Sequence, residues 1–255
     1  MLFDSHAHID SEQFDHDRDL VIRRAQLNDI SYIMNPGADF ESSERAVALA
    51  EKYDFIYAAV GVHPHDVETM DDQMLASLKT MAQKEKVKAI GEIGLDYYRD
   101  LSPRTLQKKW FVAQLRLAKA LDMPVIIHDR DANDDVLRLL KEEQAFETGV
   151  LMHCFSGSKE LARQYVALGA YISIAGPLTF KNARKAVEVV ETVPVERLMI
   201  ETDSPYLTPE PFRGKRNESM YVKYVCQKMA DIKGISYEQL AEITLNNAKA
   251  YFKIE

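Results

Sequence analysis

Eight short apolar runs, each followed by a segment of helical character, constrain this chain more than any other feature. They fall at residues 1–10, 31–34, 55–60, 87–94, 125–128, 149–153, 170–174 and 197–201. Most are continuous rather than alternating, as strands buried on both faces must be, and parallel strands need a helix-length crossover between them. Helices are expected over 15–28, 41–52, 71–83, 102–122, 134–143, 159–168 and 182–191. The clearest is 102–122, where Leu106, Trp110, Ala113, Leu117 and Leu121 recur at three- and four-residue steps as an apolar stripe. Eight βα units in 255 residues predict an α/β fold, a (β/α)8 barrel of the TIM type, rather than an open doubly wound sheet. No Gly-x-Gly-x-x-Gly fingerprint follows the first strand. Residues 219–252 add two C-terminal helices, with Val222, Val225, Met229 and Ile232 on one face of the first. Without a linker, low-complexity tract or repeat, 1–255 reads as a single domain.

Composition narrows the setting. A hydrophobic fraction of 46% suits a chain that buries a sizeable core, and a net charge of -8 argues against broad, nonspecific attraction to nucleic acid. A local basic patch or a metal site can still reverse the field. The two cysteines, Cys154 and Cys226, form no Cys-x-x-Cys pair and read as buried small hydrophobes. No secretory pattern opens the chain and no apolar run approaches the roughly 18 residues of a spanning helix, so a soluble, cytoplasmic protein is expected.

The polar residues collect where a barrel builds its site, at the C-terminal ends of its strands. His6 and His8 leave one face of an extended first segment, about 6.6 Å apart along the backbone. An isolated His-x-His is more often an ordinary pair than a metal site, so the partners decide. Glu92, His128, His153 and Asp203 stand at other strand ends, and of seven histidines only His16 falls inside an expected helix. Four imidazoles and two carboxylates without thiolate suit Zn, Mn, Fe or Mg. Six ligands exceed what one tetrahedral catalytic ion requires, which points to two divalent ions sharing a carboxylate. Glu92 is the natural bridge, because a carboxylate has two oxygens where a neutral imidazole offers one nitrogen. Two such ions activate water for hydrolysis, phosphoryl displacement included.

With that sextet assembled, the sequence resembles the TatD family of metal-dependent deoxyribonucleases, within the amidohydrolase-type barrels. The resemblance runs through Phe3-Asp-Ser-His-Ala-His8, Gly61-Val-His-Pro-His65, Gly91-Glu-Ile-Gly-Leu-Asp96, His128-Asp-Arg-Asp-Ala132, Met152-His-Cys-Phe-Ser-Gly157, Glu201-Thr-Asp-Ser-Pro205 and Pro211-Phe-Arg-Gly-Lys-Arg-Asn-Glu218, spanning nearly the whole chain. It implies that His6, His8, Glu92 and Asp203 hold one ion and Glu92, His128 and His153 the other. Asp203 would orient or deprotonate the attacking water, with Glu201 as a supporting partner. It further implies Mg²⁺-dependent 3′ to 5′ exonuclease action on single-stranded DNA or 3′ ends. Ligand chemistry leaves Mn²⁺ and Zn²⁺ open, the sequence does not choose between DNA and RNA, and no membrane or obligate protein partner is expected. His63 would contact the phosphate or leaving group. Arg130, Arg213, Lys215 and Arg216 follow strand ends and offer a phosphate backbone local cations. Tyr97, Tyr98 and Phe155 could stack a base but more commonly would pack. Two positions depart from the family pattern: Ser219 stands where proline is common, loosening the start of the capping helix, and Asp129 adds negative charge beside His128.

Two other functions compete. An amidohydrolase cleaving a small amide, lactone or ester commonly bridges its metals with a carboxylated lysine from the fourth strand; here that strand offers Lys88 at its beginning and Glu92 at its site end. A silent barrel used as a binding module would have no reason to keep six ligands.

Overall fold

The apolar runs form strands and the segments between them helices, though the first strand ends at Asp4 rather than running to residue 10, so that His6 and His8 lie beyond it. The computed structural model describes every residue from Met1 to Glu255. Strands β1 (Leu2–Asp4), β2 (Ile30–Pro36), β3 (Ile56–Val60), β4 (Val87–Asp96), β5 (Val125–Arg130), β6 (Val150–Met152), β7 (Tyr171–Ile174) and β8 (Leu198–Ile200) follow one another in chain order in a single sheet. Between them run α1 (Arg18–Leu27), α2 (Phe40–Lys52), α3 (Asp72–Ala82), α4 (Arg104–Ala120), α5 (Asn133–Glu142), α6 (Lys159–Ala167) and α7 (Arg184–Thr192). This is the (β/α)8 fold of the TIM type, with α8 (Val222–Lys233) and α9 (Tyr237–Tyr251) as extra C-terminal helices.

The chain divides into two compact units. The first comprises Met1–Asn35, Cys154–Ala167 and Tyr171–Glu255. In it β1 pairs with β2 and β7 with β8, both in parallel. Beyond these ladders, Ser5 N–H donates to the Ile200 carbonyl at 3.1 Å, and Ala7 forms a parallel bridge with Ser204, joining the end of β8 to the end of β1. Helix α9 packs on β1 and β8, and Phe252 just beyond it stacks on Phe3 at 5.7 Å between centroids. The second unit, Pro36–His153 with Leu168–Ala170, pairs β3, β4, β5 and β6 consecutively in parallel. There Gly94 lies opposite His128, and a Cβ on it would stand 1.9 Å from the His128 carbonyl oxygen. Only glycine allows β4 and β5 this approach.

Helix boundaries follow local chemistry. Asp39 caps α2 by accepting the Ser42 N–H while the Ser42 hydroxyl answers back, a capping box worth about 1 kcal/mol. Ser236 and Gln239 repeat it for α9, and α8 ends at Gly234 with φ of 66°. Helix α1 buries Val21, Ile22 and Ala25. Several expectations change. His16 lies in the turn ahead of α1 rather than in a helix. In α4 only Trp110 and Leu117 of the expected stripe are buried, and Gln107, Phe111, Gln114, Leu115 and Ala118 complete the buried face. Cys226 is buried, its thiol pushed up to about 12 by desolvation, whereas Cys154 is only half-buried. Ser219 is fully buried at the start of the capping helices, and the neighbouring Glu218 carboxylate accepts both Nε–H and Nη–H of Arg24 at 2.8 Å. No helix is long and apolar enough to cross a membrane.

Candidate metal centre

In the first unit, Asp4 sets the frame. Its carboxylate accepts the Thr202 N–H at 2.8 Å and hydroxyl at 2.6 Å, stapling the end of β1 to the residue after Glu201. Burial pushes the Asp4 carboxyl up to about 7 against those hydrogen bonds. The chain then continues extended, with Asp203 N–H donating to the His6 carbonyl at 2.9 Å and His8 N–H to that of Ser204 at 2.8 Å. His6 and His8 therefore point to one side, flanking Ala7, as residues two apart in extended backbone do. Their Nε2 atoms lie 3.2 Å apart, and Asp203 Oδ1 stands 3.8 Å from the first and 3.6 Å from the second. Ligands bonded at about 2.1 Å are separated by about 3.0 Å at right angles and about 3.4 Å at the tetrahedral angle, so this triangle fits a divalent ion. His6 is fully buried and Glu201, at the end of β8, equally so.

The second unit holds the other group. Glu92 Oε1 lies 2.8 Å from His153 Nε2, 2.9 Å from His128 Nδ1 and 3.5 Å from His63 Nε2, all four side chains being largely withdrawn from solvent. The spacing of His128 and His153 about Glu92 again matches the edge of an ion's coordination shell. His63 differs from these two. The backbone N–H of His65 donates to His63 Nδ1 at 3.1 Å, and burial together with the neighbouring His128 holds the ring's pKa well below the usual histidine range. With Nδ1 accepting that N–H, the other ring nitrogen, Nε2, is the one turned toward Glu92, and His63, Glu92 and His128 lie close enough together to hold a metal ion.

Two residues that sequence reasoning passed over complete this group. Asp96 Oδ2 is 2.7 Å from His65 Nε2 and 3.2 Å from His128 Nε2. Although burial opposes its ionisation, hydrogen bonds from His128, the Arg99 N–H and His65 hold the Asp96 carboxyl far below the carboxylate range. The signal was present: residues 92, 94 and 96 share one face of a strand. Asp129, by contrast, is next to His128 in β5 and so projects to the opposite face, where its carboxylate accepts the Ala132 N–H at 3.3 Å and burial raises it to about 6.

The expected substrate cations divide. Arg130 is exposed at the end of β5 with its guanidinium 4.2 Å from the Tyr98 ring centroid, and exposed Arg213 lies 4.1 Å from that of Phe180. Lys215 is exposed as well. Arg216 is committed elsewhere: it donates to both Asp17 oxygens at 2.8 and 2.6 Å and to Glu218 at 3.3 Å. Tyr97 donates to Asp135 at 2.6 Å, Tyr98 is largely exposed, and Phe155 is buried edge-on against Tyr165.

A parallel (β/α)8 fold whose strand ends carry groups of histidine and carboxylate able to hold metal defines a metal-dependent hydrolase. The particular family follows from comparison: the description "TatD related DNase" matches residues 3–253, and the chain belongs to the TatD family. An uncharacterised metal-dependent hydrolase of Bacillus subtilis, YabD, is 51% identical over 254 residues, covering 100% of both chains. A protein of Cronobacter sakazakii named the 3′-5′ ssDNA/RNA exonuclease TatD is 37% identical, with 98% of this chain and 97% of that one covered. The crystal structure of YjjV, a TatD homologue from Escherichia coli, superposes with a TM-score of 0.94 at 33% identity, covering 100% of this chain and 98% of the other.

Proposed function

We propose that this chain hydrolyses phosphodiester bonds in DNA, releasing nucleotides 3′ to 5′ from single strands, with two divalent ions, Mg²⁺ in the working enzyme. His6, His8 and Asp203 are assigned to one ion; Glu92, His128 and His153 to the other. When bound, such ions polarise phosphoryl oxygens and ease the ionisation of water. The observation that carries the reading is Glu92 Oε1, midway along β4, within 2.9 Å of two histidine nitrogens. A hydrolase of small amides or lactones would be expected to place a carboxylated lysine there, and Lys88, at the strand's beginning, instead lies 5.9 Å from the Tyr57 ring. The relative named as a 3′-5′ ssDNA/RNA exonuclease supports the same choice.

In this reading Asp203 orients the attacking water and takes its proton. Glu201 supports the ligands from its buried place at the end of β8. His63 directs its Nε2–H at the phosphate or the leaving oxygen, while Arg130, Arg213 and Lys215 engage flanking phosphates and Arg216 does not.

The test is product analysis on end-labelled single- and double-stranded DNA and RNA, with Mg²⁺, Mn²⁺ and Zn²⁺ supplied in turn. Mononucleotides should leave the 3′ end of single strands, EDTA should stop the reaction, and Asp203→Ala or Glu92→Ala should lower the rate about 10³-fold or more with the fold retained. Turnover of a lactone and amide panel without nucleotide release would overturn the assignment.

A further inference from the structure

Asp96 is fully buried and lies outside the six assigned ligands. Its ordinary role would be to shape the loop after β4, since Oδ1 accepts the N–H groups of Tyr98 at 3.0 Å and Arg99 at 2.8 Å. That role uses one oxygen. The other, Oδ2, is turned into the site, 3.2 Å from His128 Nε2 and 2.7 Å from His65 Nε2. An ionised carboxylate offers about four acceptor positions, and here two backbone N–H groups and two imidazole nitrogens fill them. An acceptor-only group can be satisfied in this way only if both imidazoles present N–H at Nε2.

The consequence for His128 concerns its other nitrogen. With Nε2–H committed to Asp96, Nδ1 is the nitrogen of His128 left for an ion; it lies 2.9 Å from the Glu92 carboxylate, and any proton it shares with Glu92 would leave when an ion binds. The backbone of Asp96 is held as firmly as its side chain. Gln107 Oε1 accepts the Asp96 N–H at 2.9 Å, and Gln107 Nε2 donates to the Asp96 carbonyl at 3.2 Å.

We propose that Asp96 is a positioning residue, which fixes the tautomer and orientation of His128 so that Nδ1 is the nitrogen offered to the second ion. This rests on the two-ion reading above. Carboxylates behind metal-binding histidines commonly act in this way, and their loss weakens metal binding about 10- to 100-fold.

Asp96→Asn separates this role from loop shaping. The amide oxygen can still serve the Tyr98 and Arg99 N–H groups, but Nδ2 then faces the two histidines as a donor. It would draw a lone pair to His128 Nε2 and put the proton on Nδ1, where the ion needs a lone pair.

The experiment is calorimetric titration of Mn²⁺ into metal-free wild type, Asp203→Ala and Asp96→Asn. Wild type should take up two ions, and Asp203→Ala should retain one binding step, which identifies the second ion. In Asp96→Asn that step should weaken about 10- to 100-fold while the other step and the melting temperature of the metal-free protein hold. Two ions in wild type with an unchanged second step in Asp96→Asn would overturn the positioning role alone. Uptake of fewer than two ions by wild type would overturn the two-ion reading and this inference with it. Should Asp96→Asn fail to fold, two-bond ¹H–¹⁵N spectra of Zn²⁺-loaded wild type still decide: the proton of His128 is expected on Nε2, and a proton on Nδ1 overturns the inference.

Discussion

The N–H of His65 reaches His63 Nδ1 at 3.1 Å, and this single contact separates His63 from the histidines around it. Its Nε2 lies 3.5 Å from Glu92 Oε1, close enough that distance alone would group it with His128 as a ligand. The proposed donor role follows from the tautomer instead: a neutral imidazole whose Nδ1 accepts a hydrogen bond has its proton on Nε2 and no lone pair to give there. Asparagine is the informative replacement, since its Oδ1 can stand near the position of Nδ1 and still accept the His65 N–H. His63→Asn is therefore expected to retain full metal content while turnover on single-stranded DNA falls about 10²- to 10³-fold, the usual cost of deleting one donor to a developing charge. Metal analysis of the purified variant beside its rate checks both halves. Loss of an ion would make His63 a ligand after all.

Helix α4 does for the backbone what His65 does for one ring. Gln107 and Gln114 are two turns apart, on one face and fully buried. Gln114 accepts the Val62 N–H at 2.7 Å and donates to the Val62 carbonyl at 3.1 Å, as Gln107 does for Asp96. One helix thereby fixes the segment carrying His63 and His65 and the strand end carrying Asp96. Gln114→Leu should leave two buried backbone groups unpaired, each costing about 1–3 kcal/mol, so urea unfolding should show a loss of about 2–6 kcal/mol. A loss under about 0.5 kcal/mol would mean that water replaces the amide. These glutamines also mark where the sequence stopped being legible. The strand ends were readable because apolar runs stop abruptly at His, Glu or Asp, and the helices because their periods are strong. A glutamine in an amphipathic helix looks solvated, and only the distant backbone at Val62 and Asp96 makes its burial favourable. Arg216 was misleading for the same reason, since its partner Asp17 lies 199 residues away along the chain.

Charge is where the whole molecule bears on the proposed substrate. A chain with net charge of -8 repels a polyanion at long range, so binding must rest on short-range cations and on ions held in the site. Of the four cations expected for that task, Arg216 is tied to Asp17 and Glu218, which leaves Arg130, Arg213 and Lys215. Each phosphate neutralised on a single strand contributes a slope of about −0.7 to log K against log salt, so three contacts allow no more than about −2. Affinity for a short single-stranded oligonucleotide should therefore vary only gently with monovalent salt, measured with Asp203→Ala so that the strand stays intact. Arg213→Ala should bring the slope about 0.7 closer to zero, whereas Arg216→Ala should leave it unchanged and lower the melting temperature instead, because its guanidinium is committed to Asp17. A wild-type slope steeper than about −4 would require a cationic surface that these residues do not supply. An equal change in slope from Arg216→Ala would return that residue to the substrate path.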